Sequence, residues 1–252
     1  MKSIVNTCVT CRKKFKRLAQ QKMAPLPIER LKPAPAFTSV GLDYFGPYAT
    51  KGEVQKRTRG KGYGIIIACD VSRAVYVDFV PDYSTDKFLQ ALRRFATFRG
   101  WPSKIHSDPG SQLKCASTEL QQAIKNLDRK QMQQYCHQNG TQWSFHPADA
   151  PWYNGSTEAL VKTVKRCLNA VIKTTDHAFT FSEYLTIFYE VAELVNERPI
   201  GRKPSSPEEL AYLCPNDLLL GRSTSAIPQG PFDDNASTSK RIHFIQSVVN
   251  SF

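Results

Sequence analysis

The sequence predicts an α/β domain built on a mixed five-stranded sheet with flanking helices. Apolar strand-like segments and amphipathic helical segments follow one another in the order β-β-β-α-β-α-β-α-α. Three consecutive strands favour antiparallel neighbours, whereas strands that alternate with helices favour parallel additions to the same sheet. A mixed sheet, with antiparallel pairing first and parallel pairing later, is the expected result.

The first three strands are expected between residues 37 and 80. The segment FTSVGLDYFG, residues 37–46, places Asp43 near the end of the first strand. The segments YGIIIACDV and AVYVDFV flank Ser72 and Arg73, and their almost continuous apolar character predicts a buried hairpin.

A helix is expected next over residues 84–100, with Ser84 or Thr85 as its N-cap. The segment KIHSD predicts the fourth strand, which ends on Asp108 just before Pro109 and Gly110. The remaining expected elements are a helical stretch at 117–138, a strand in TQWSFHP (141–147), a helix from about Ser156 to Thr175, and a helix from the capping box of Thr180 and Glu183 to about Asn196.

The net charge of +12 is concentrated in two segments. Residues 1–36 carry nine Lys or Arg and one acid, and residues 50–62 carry five Lys or Arg and one acid. The rest of the chain sums to zero, so the body is neutral and bears a basic arm and a basic loop. This distribution suits nucleic acid as a partner. The alternative is solubility combined with a nuclear-import run at CRKKFKR.

Hydropathy and cysteine usage limit the cellular setting. No apolar run approaches 18 residues, so no transmembrane helix is expected. The first residues lack the apolar core of a secretory signal. Seven scattered cysteines do not suggest a disulfide framework and fit a reducing compartment. We therefore expect a protein that is neither secreted nor bound to a membrane and is cytoplasmic during synthesis.

Three carboxylates on separate elements are candidates for one site. Asp43 and Asp108 are expected at strand ends, where functional residues of such sheets gather. Glu158 is expected near the start of a helix. Three such carboxylates can hold two Mg²⁺ ions, as phosphoryl transfer requires. The alternatives are an ordinary Asp-Pro-Gly turn at Asp108 and a solvated Glu-Lys pair at Glu158.

The expected helix after Ser156 has two distinct faces. Its apolar face predicts burial and consists of Leu160, Val164, Leu168 and Val171. Its polar face spans about 60° and consists of Glu158, Lys162, Lys165 and Asn169. Lysines beside an acid are suited to bind a phosphate backbone.

The segments around Asp43, Asp108 and Glu158 resemble the three acidic motifs of the retroviral-type integrase core. These segments are GLDYFGP, HSDPGSQL and PWYNGSTEALVKTVKR. Four more segments are similar to the integrases of BEL/Pao long-terminal-repeat retrotransposons: SRAVYVDFV, LRRFATFRGWPSKIHSD, NERPI and NDLLLGR. The resemblance extends from about Phe37 to Arg222. One departure is Pro109, where the family commonly has Asn, and proline removes a backbone donor near the expected metal site.

The resemblance implies a ribonuclease H-like fold and a DDE polynucleotidyl transferase that trims DNA 3′ ends and joins them to target DNA. Asp43, Asp108 and Glu158 would hold two Mg²⁺ or Mn²⁺ ions. Lys162, Lys165 and Asn169 would contact DNA in a homo-oligomer acting in the nucleus. Two rival interpretations remain open: a non-catalytic DNA-binding module derived from an integrase, and a ribonuclease H-type nuclease.

The resemblance also sets the expected domain boundaries. Residues 1–36 would be a basic linker with the tail of a truncated zinc module, in which Cys8 and Cys11 form half of a His-His-Cys-Cys site. Zn²⁺ is therefore expected only in a longer parent protein. The catalytic core would cover residues 37–222, followed by a flexible linker at 223–240 and a truncated C-terminal region at 241–252.

Four further side chains have more than one interpretation. Trp152 and Tyr153 precede the Glu158 helix and are expected either to stack on an unpaired base or to pack within the protein. Asp70 and Asp78 also lie in strand-like segments. For Asp70 we favour a role in the turn after the second strand rather than in catalysis.

Overall fold

A computed structural model describes residues 8–9, 26, 28–53, 59–107, 128–145, 155–173, 178–203 and 212–222, except for the side chains of residues 29, 171 and 173. The predicted Asp108, Trp152, Tyr153 and Cys11 lie outside these residues, as do the expected regions 223–240 and 241–252.

The predicted mixed sheet is confirmed. Its five main strands follow the spatial order β3-β2-β1-β4-β5. The first three strands pair antiparallel, and β4 and β5 are added parallel to β1. Their bounds are Ser39–Lys51 (β1), Arg59–Cys69 (β2), Val75–Val80 (β3), Lys104–Ser107 (β4) and Gln142–Phe145 (β5).

The number of strands differs from the prediction, because the described part of the sheet has six. The sixth strand, β6 (Phe179–Thr180), pairs parallel with Thr50 and Lys51 at the far end of β1. Strand β1 has 13 residues whereas β4 has four, so the same edge of β1 is open to β6 beyond the point where β4 ends. A separate hairpin is formed by β7 (Gly201–Arg202) and β8 (Tyr212–Leu213).

Five α-helices lie in the described ranges, and a short 3₁₀ turn covers Ile28–Arg30. None of these helices is both long and apolar enough to cross a bilayer. The expected caps are present: the Ser84 side chain accepts the Lys87 N–H, and Thr180 and Glu183 form the predicted capping box. The helix bounds are Thr85–Arg99 (α1), Arg129–Gln138 (α2), Gly155–Lys173 (α3), Phe181–Asn196 (α4) and Pro215–Leu220 (α5).

The described part of the helical stretch expected at 117–138 is a helix over Arg129–Gln138. It starts at Arg129, because Asp128 has extended backbone angles and its side chain accepts the Gln131 N–H as an N-cap. Residues 117–127 lie outside the described ranges. The apolar spacing in that stretch did not reveal this boundary, which the capping Asp sets.

The sheet separates two apolar cores. One face packs on α1 and α2, the other on α3 and α4. Strand β1 alternates between them: Leu42 and Tyr44 belong to the first core and Phe45 to the second. Asp43 pairs with Ile66, whose side chain is in the second core. Asp43 and Gly41 therefore lie on the face that α3 covers.

The NERPI segment has a structural role at the sheet edge formed by β3. The Asn196 side chain accepts the Val75 N–H at 2.8 Å and donates to the Val75 carbonyl at 2.9 Å. The Arg198 guanidinium donates to the carbonyls of Val195 and Arg73. These bonds fasten the β2–β3 turn to the end of α4.

Candidate active site

The candidate site lies where the first turn of α3 meets β1. Gly41 has no room for a side chain, because a Cβ there would overlap Thr157 Oγ1 and lie 2.8 Å from His106 Cε1. The absence of a Cβ is thus what allows α3 to approach the backbone of β1 so closely. Thr157 is 1% exposed, and the described residues offer no hydrogen-bond partner for its Oγ1.

Two of the three predicted acids are neighbours in sequence of the residues that make this close approach. Asp43 is half-buried, two residues beyond Gly41 on the same face, and its Oδ1 accepts the Tyr44 N–H at 2.8 Å. Glu158 directly follows Thr157 and is exposed in the first turn of α3. Asp108 lies outside the described residues, one position after the last residue of β4. Carboxylate oxygens are the ligands that Mg²⁺ and Mn²⁺ prefer, so this donor chemistry fits such ions.

Metal clusters are absent from the part of the chain that the structure describes, where no three His, Cys, Asp or Glu side chains group as ligands. The predicted trio includes Asp108 and so stays a prediction. The predicted zinc half-site is also untested, because Cys8 is described and Cys11 is not.

The two predicted faces of α3 are confirmed for the side chains that are described. Leu160, Val164 and Leu168 are buried in the second core. The polar residues Lys162, Lys165 and Asn169 are exposed. Lys165 Nζ lies 5.9 Å from the centre of the buried Phe45 ring, within the range of a cation–π contact. Lys165 therefore has a structural contact as well as an exposed charge.

A buried polar cluster connects β1, the β2–β3 turn and β4. Asp70 lies in the predicted turn, but its carboxylate is 7% exposed and accepts the Ser39 hydroxyl at 2.7 Å. His106 Nε2 lies 2.9 Å from Asp70 Oδ2, and since an ionised carboxylate can only accept, Nε2 carries the proton. Burial acts to raise the pKa of Asp70, but the hydrogen bond and charge of His106 and the Ser39 bond outweigh it and lower that pKa.

Sequence reasoning missed His106 and Gly41 as parts of this junction. A glycine inside a strand-like segment often marks the close approach of another element, so Gly41 could have been recognised as such a position. His106 occupies the alternate position of β4 that faces α3, directly opposite Gly41 in the ladder. Strand alternation identifies its face, although not its carboxylate partner 36 residues away.

The predicted basic loop is anchored at its base. The described cations Lys51, Arg59 and Lys61 lie on the β1–β2 hairpin. The carboxylate of Glu53 accepts the N–H and the hydroxyl of Ser182 at 2.8 and 2.7 Å. These hydrogen bonds lower the pKa of Glu53 and tie the hairpin to the start of α4. Residues 54–58 lie outside the described ranges.

Comparisons with known proteins identify the fold class. No protein-family model matches the chain, and no curated protein sequence matches it. The chain is similar to a chain of the cryo-EM structure of the simian T-cell lymphotropic virus intasome in complex with PP2A regulatory subunit B56 gamma. The TM-score is 0.50 with 16% identity, over 91% of this chain and 69% of that one. The chain thus has an integrase-like fold.

Proposed function

We propose that this chain is the catalytic core of a BEL/Pao-type retrotransposon integrase, a DDE polynucleotidyl transferase. It would trim the 3′ ends of element DNA and then join those ends to target DNA. The observation that carries the proposal is the close approach of Thr157 to Gly41 within an integrase-like fold. It supports the proposal because Glu158 and Asp43 lie one and two positions along the chain from these two residues. The sequence resemblance described above supplies the narrower family assignment.

In this proposal Asp43, Asp108 and Glu158 would hold two Mg²⁺ or Mn²⁺ ions. When bound, such ions lower the pKa of an attacking hydroxyl and stabilise a leaving oxygen. The close approach of α3 to β1 sets the place of Glu158, and the cluster of Asp70 with His106 fixes the end of β4. Along β4, His106 faces α3 and Ser107 faces the other core.

The strand order supports a ribonuclease H-like assignment within the integrase-like fold. Strands β1 to β3 form an antiparallel meander, and β4 and β5 add in parallel beside β1. Similarity to an intasome chain supports the proposal that this chain binds DNA and forms homo-oligomers. From the sequence resemblance we propose that it acts in the nucleus. Lys162, Lys165 and Asn169 on the exposed face of α3 would contact the DNA backbone, and Trp152 and Tyr153 would stack on its unpaired end.

An assay with three substrates tests the proposed function. The full chain is incubated with Mg²⁺ or Mn²⁺ and either duplex DNA carrying an element end, an RNA–DNA hybrid, or a non-specific DNA duplex in a binding format. Joining of the DNA 3′ end to a target is the expected result. Cleavage of the hybrid without joining would favour a ribonuclease H-type nuclease, and binding without either reaction would favour a non-catalytic module.

Reversing the charges of Lys162 and Lys165 together is expected to weaken DNA binding strongly. Two neutralised phosphates correspond to a log–log salt slope that is smaller by about 1.8, at about 0.9 per contact. Stability should fall by only about 1 kcal/mol, mostly through loss of the Lys165–Phe45 contact. Fluorescence anisotropy over a salt series and thermal denaturation measure the two effects.

The matched control for that variant is Arg93→Glu with Lys130→Glu. Both control residues are exposed, and they belong to α1 and α2 on the opposite face of the sheet. The control changes the net charge by the same amount. If it reduced the salt slope as much as the α3 variant does, the binding would depend on total charge rather than on the exposed face of α3.

A further inference from the structure

Arg73 has an unusual backbone conformation at the β2–β3 turn. Its φ is +59°, in the left-handed region where residues other than glycine are uncommon and strained. A glycine would serve this turn without strain. Arginine therefore occupies this turn at a cost in backbone strain.

The Arg73 side chain is half-buried and points to the beginning of α3, where Nη2 donates to the Ser156 carbonyl at 3.4 Å. Two further arginines belong to the same neighbourhood. Arg198 donates to the Arg73 carbonyl, and the charge of Arg30 acts on both Arg73 and Asp70. Burial and then the neighbouring Arg73 lower the pKa of Arg198 to about 10.

The described partners of these guanidinium groups do not neutralise them. Arg73 and Arg198 donate to backbone carbonyls. Asp70 is the carboxylate that acts on Arg73, and its oxygens are already bonded to Ser39 and His106. The charges of Arg30 and Arg198 both act against that of Arg73, and an added anion would relieve this repulsion.

We propose that Arg30, Arg73 and Arg198 form a binding site for a phosphate group of the DNA backbone. This inference rests on the proposed function, because it assumes that the chain binds DNA. Guanidinium groups suit phosphate because their donors match its oxygens in pairs. Arg73 and Arg198 use one or two of their five N–H donors in the bonds described above, so donors remain for a ligand.

The place of this site continues the proposed DNA surface. Arg30 lies near the C-terminal end of the basic arm, residues 1–36, and Arg73 contacts Ser156 at the start of α3. From Ser156, the helix rises by about 9 Å to Lys162 and about 14 Å to Lys165. At about 3.4 Å per nucleotide along one strand, these distances correspond to about three to four nucleotides. Along the helix axis, the spacing of the arginine site from the two lysines therefore matches a short run of one DNA strand.

The test replaces Arg73 by glycine and, separately, by glutamine in the full chain. A random-sequence DNA duplex is titrated over a salt series by fluorescence anisotropy, and thermal denaturation is recorded for each variant. Both variants should lose about 0.9 from the log–log salt slope and bind about fivefold more weakly at 0.15 M salt. Arg73→Gly should melt at the wild-type temperature or above, because glycine relieves the backbone strain and the repulsion while keeping the carbonyl that Arg198 uses.

The control is Arg93→Gln on exposed α1, which should leave the slope unchanged. A lower melting temperature for Arg73→Gly together with an unchanged slope for Arg73→Gln would show a purely structural arginine and overturn the inference. If the Arg73 variants had a smaller salt slope than the wild type with duplex RNA but the same slope with duplex DNA, the assignment of DNA as the ligand would be overturned. If the wild-type chain bound no DNA, both the proposed function and this site would be refuted. If the wild-type chain bound DNA and both Arg73 variants bound it equally well, this site alone would be refuted.

Discussion

Glu158→Gln, Asp43→Asn and Asp108→Asn are each expected to abolish strand transfer, by about 10³-fold or more, without unfolding the protein. An amide keeps the shape of the side chain but removes a charged oxygen ligand, and essential catalytic groups act on this scale. In the Asp43→Asn variant, the amide oxygen would still accept the Tyr44 N–H that Asp43 Oδ1 now accepts, so the local strand is preserved. A strand-transfer assay on purified, folded variants measures the effect.

The same variants should also lose stabilisation by divalent ions. Clustered carboxylates repel one another, and a bound cation relieves that repulsion. At about 100 times its dissociation constant, Mg²⁺ or Mn²⁺ should add about 2.7 kcal/mol to the free energy of unfolding of the wild-type chain. Each amide variant should show little of this gain, while its melting temperature without metal should equal or exceed that of the wild type.

Asp86→Asn is the matched control, because Asp86 is exposed in the first turn of α1 on the opposite face of the sheet. It should keep both strand transfer and the response to metal. The most informative single outcome concerns Asp108. Wild-type strand transfer by Asp108→Asn, in an experiment where Glu158→Gln is inactive, would reduce Asp108 to a turn residue.

Gly41→Ala is expected to destabilise the protein by about 1–3 kcal/mol and to impair strand transfer further than the loss of folded protein explains. The added Cβ would overlap Thr157 Oγ1 and meet His106 Cε1 at 2.8 Å, so α3 must move away from β1. Glu158 follows Thr157 and would move with it. Thermal denaturation should show a fall of several degrees, at about 2–4 °C per kcal/mol for a chain of this size.

Two further variants check the cause. Gly155→Ala changes another glycine at the start of α3 that has nothing within 4 Å, so it should be neutral or slightly stabilising. Adding Thr157→Ala to Gly41→Ala removes one of the two clashing atoms and should restore part of the stability, with a coupling of about 0.5–3 kcal/mol. Strictly additive effects of the two substitutions would contradict the contact between α3 and β1.

Features that depend on local sequence were predictable. The apolar periodicity located the five main strands and the two faces of α3, since burial imposes a period of two or 3.6 residues. The capping box of Thr180 and Glu183 was visible because its partners lie three residues apart. Glu158 lies at the predicted helix start. Asp43 was expected near the end of the first strand, but it lies inside β1, which continues past Gly46 and Pro47 to Lys51.

Features that depend on distant contacts were not predictable. Strand β6 has two residues, too few to show a pattern, and exists because the long β1 leaves an edge open. The bonds of Asp70 to Ser39 and His106 join residues more than 30 positions apart, so its turn position concealed its buried partners. The strain at Arg73 is a backbone property that its residue type does not announce.

The anchoring of the β1–β2 hairpin has a consequence for binding energetics. Pairing of Lys51 with Thr180 and the bonds of Glu53 to Ser182 fix the base of the hairpin before any ligand arrives. Ordering one residue costs about 1–2 kcal/mol of conformational free energy. The residues at the base of the hairpin are already ordered by folding, so a ligand does not have to order them. A polyanion that settles on Arg59 and Lys61 therefore meets a preorganised cationic edge, and more of its electrostatic attraction remains available as affinity.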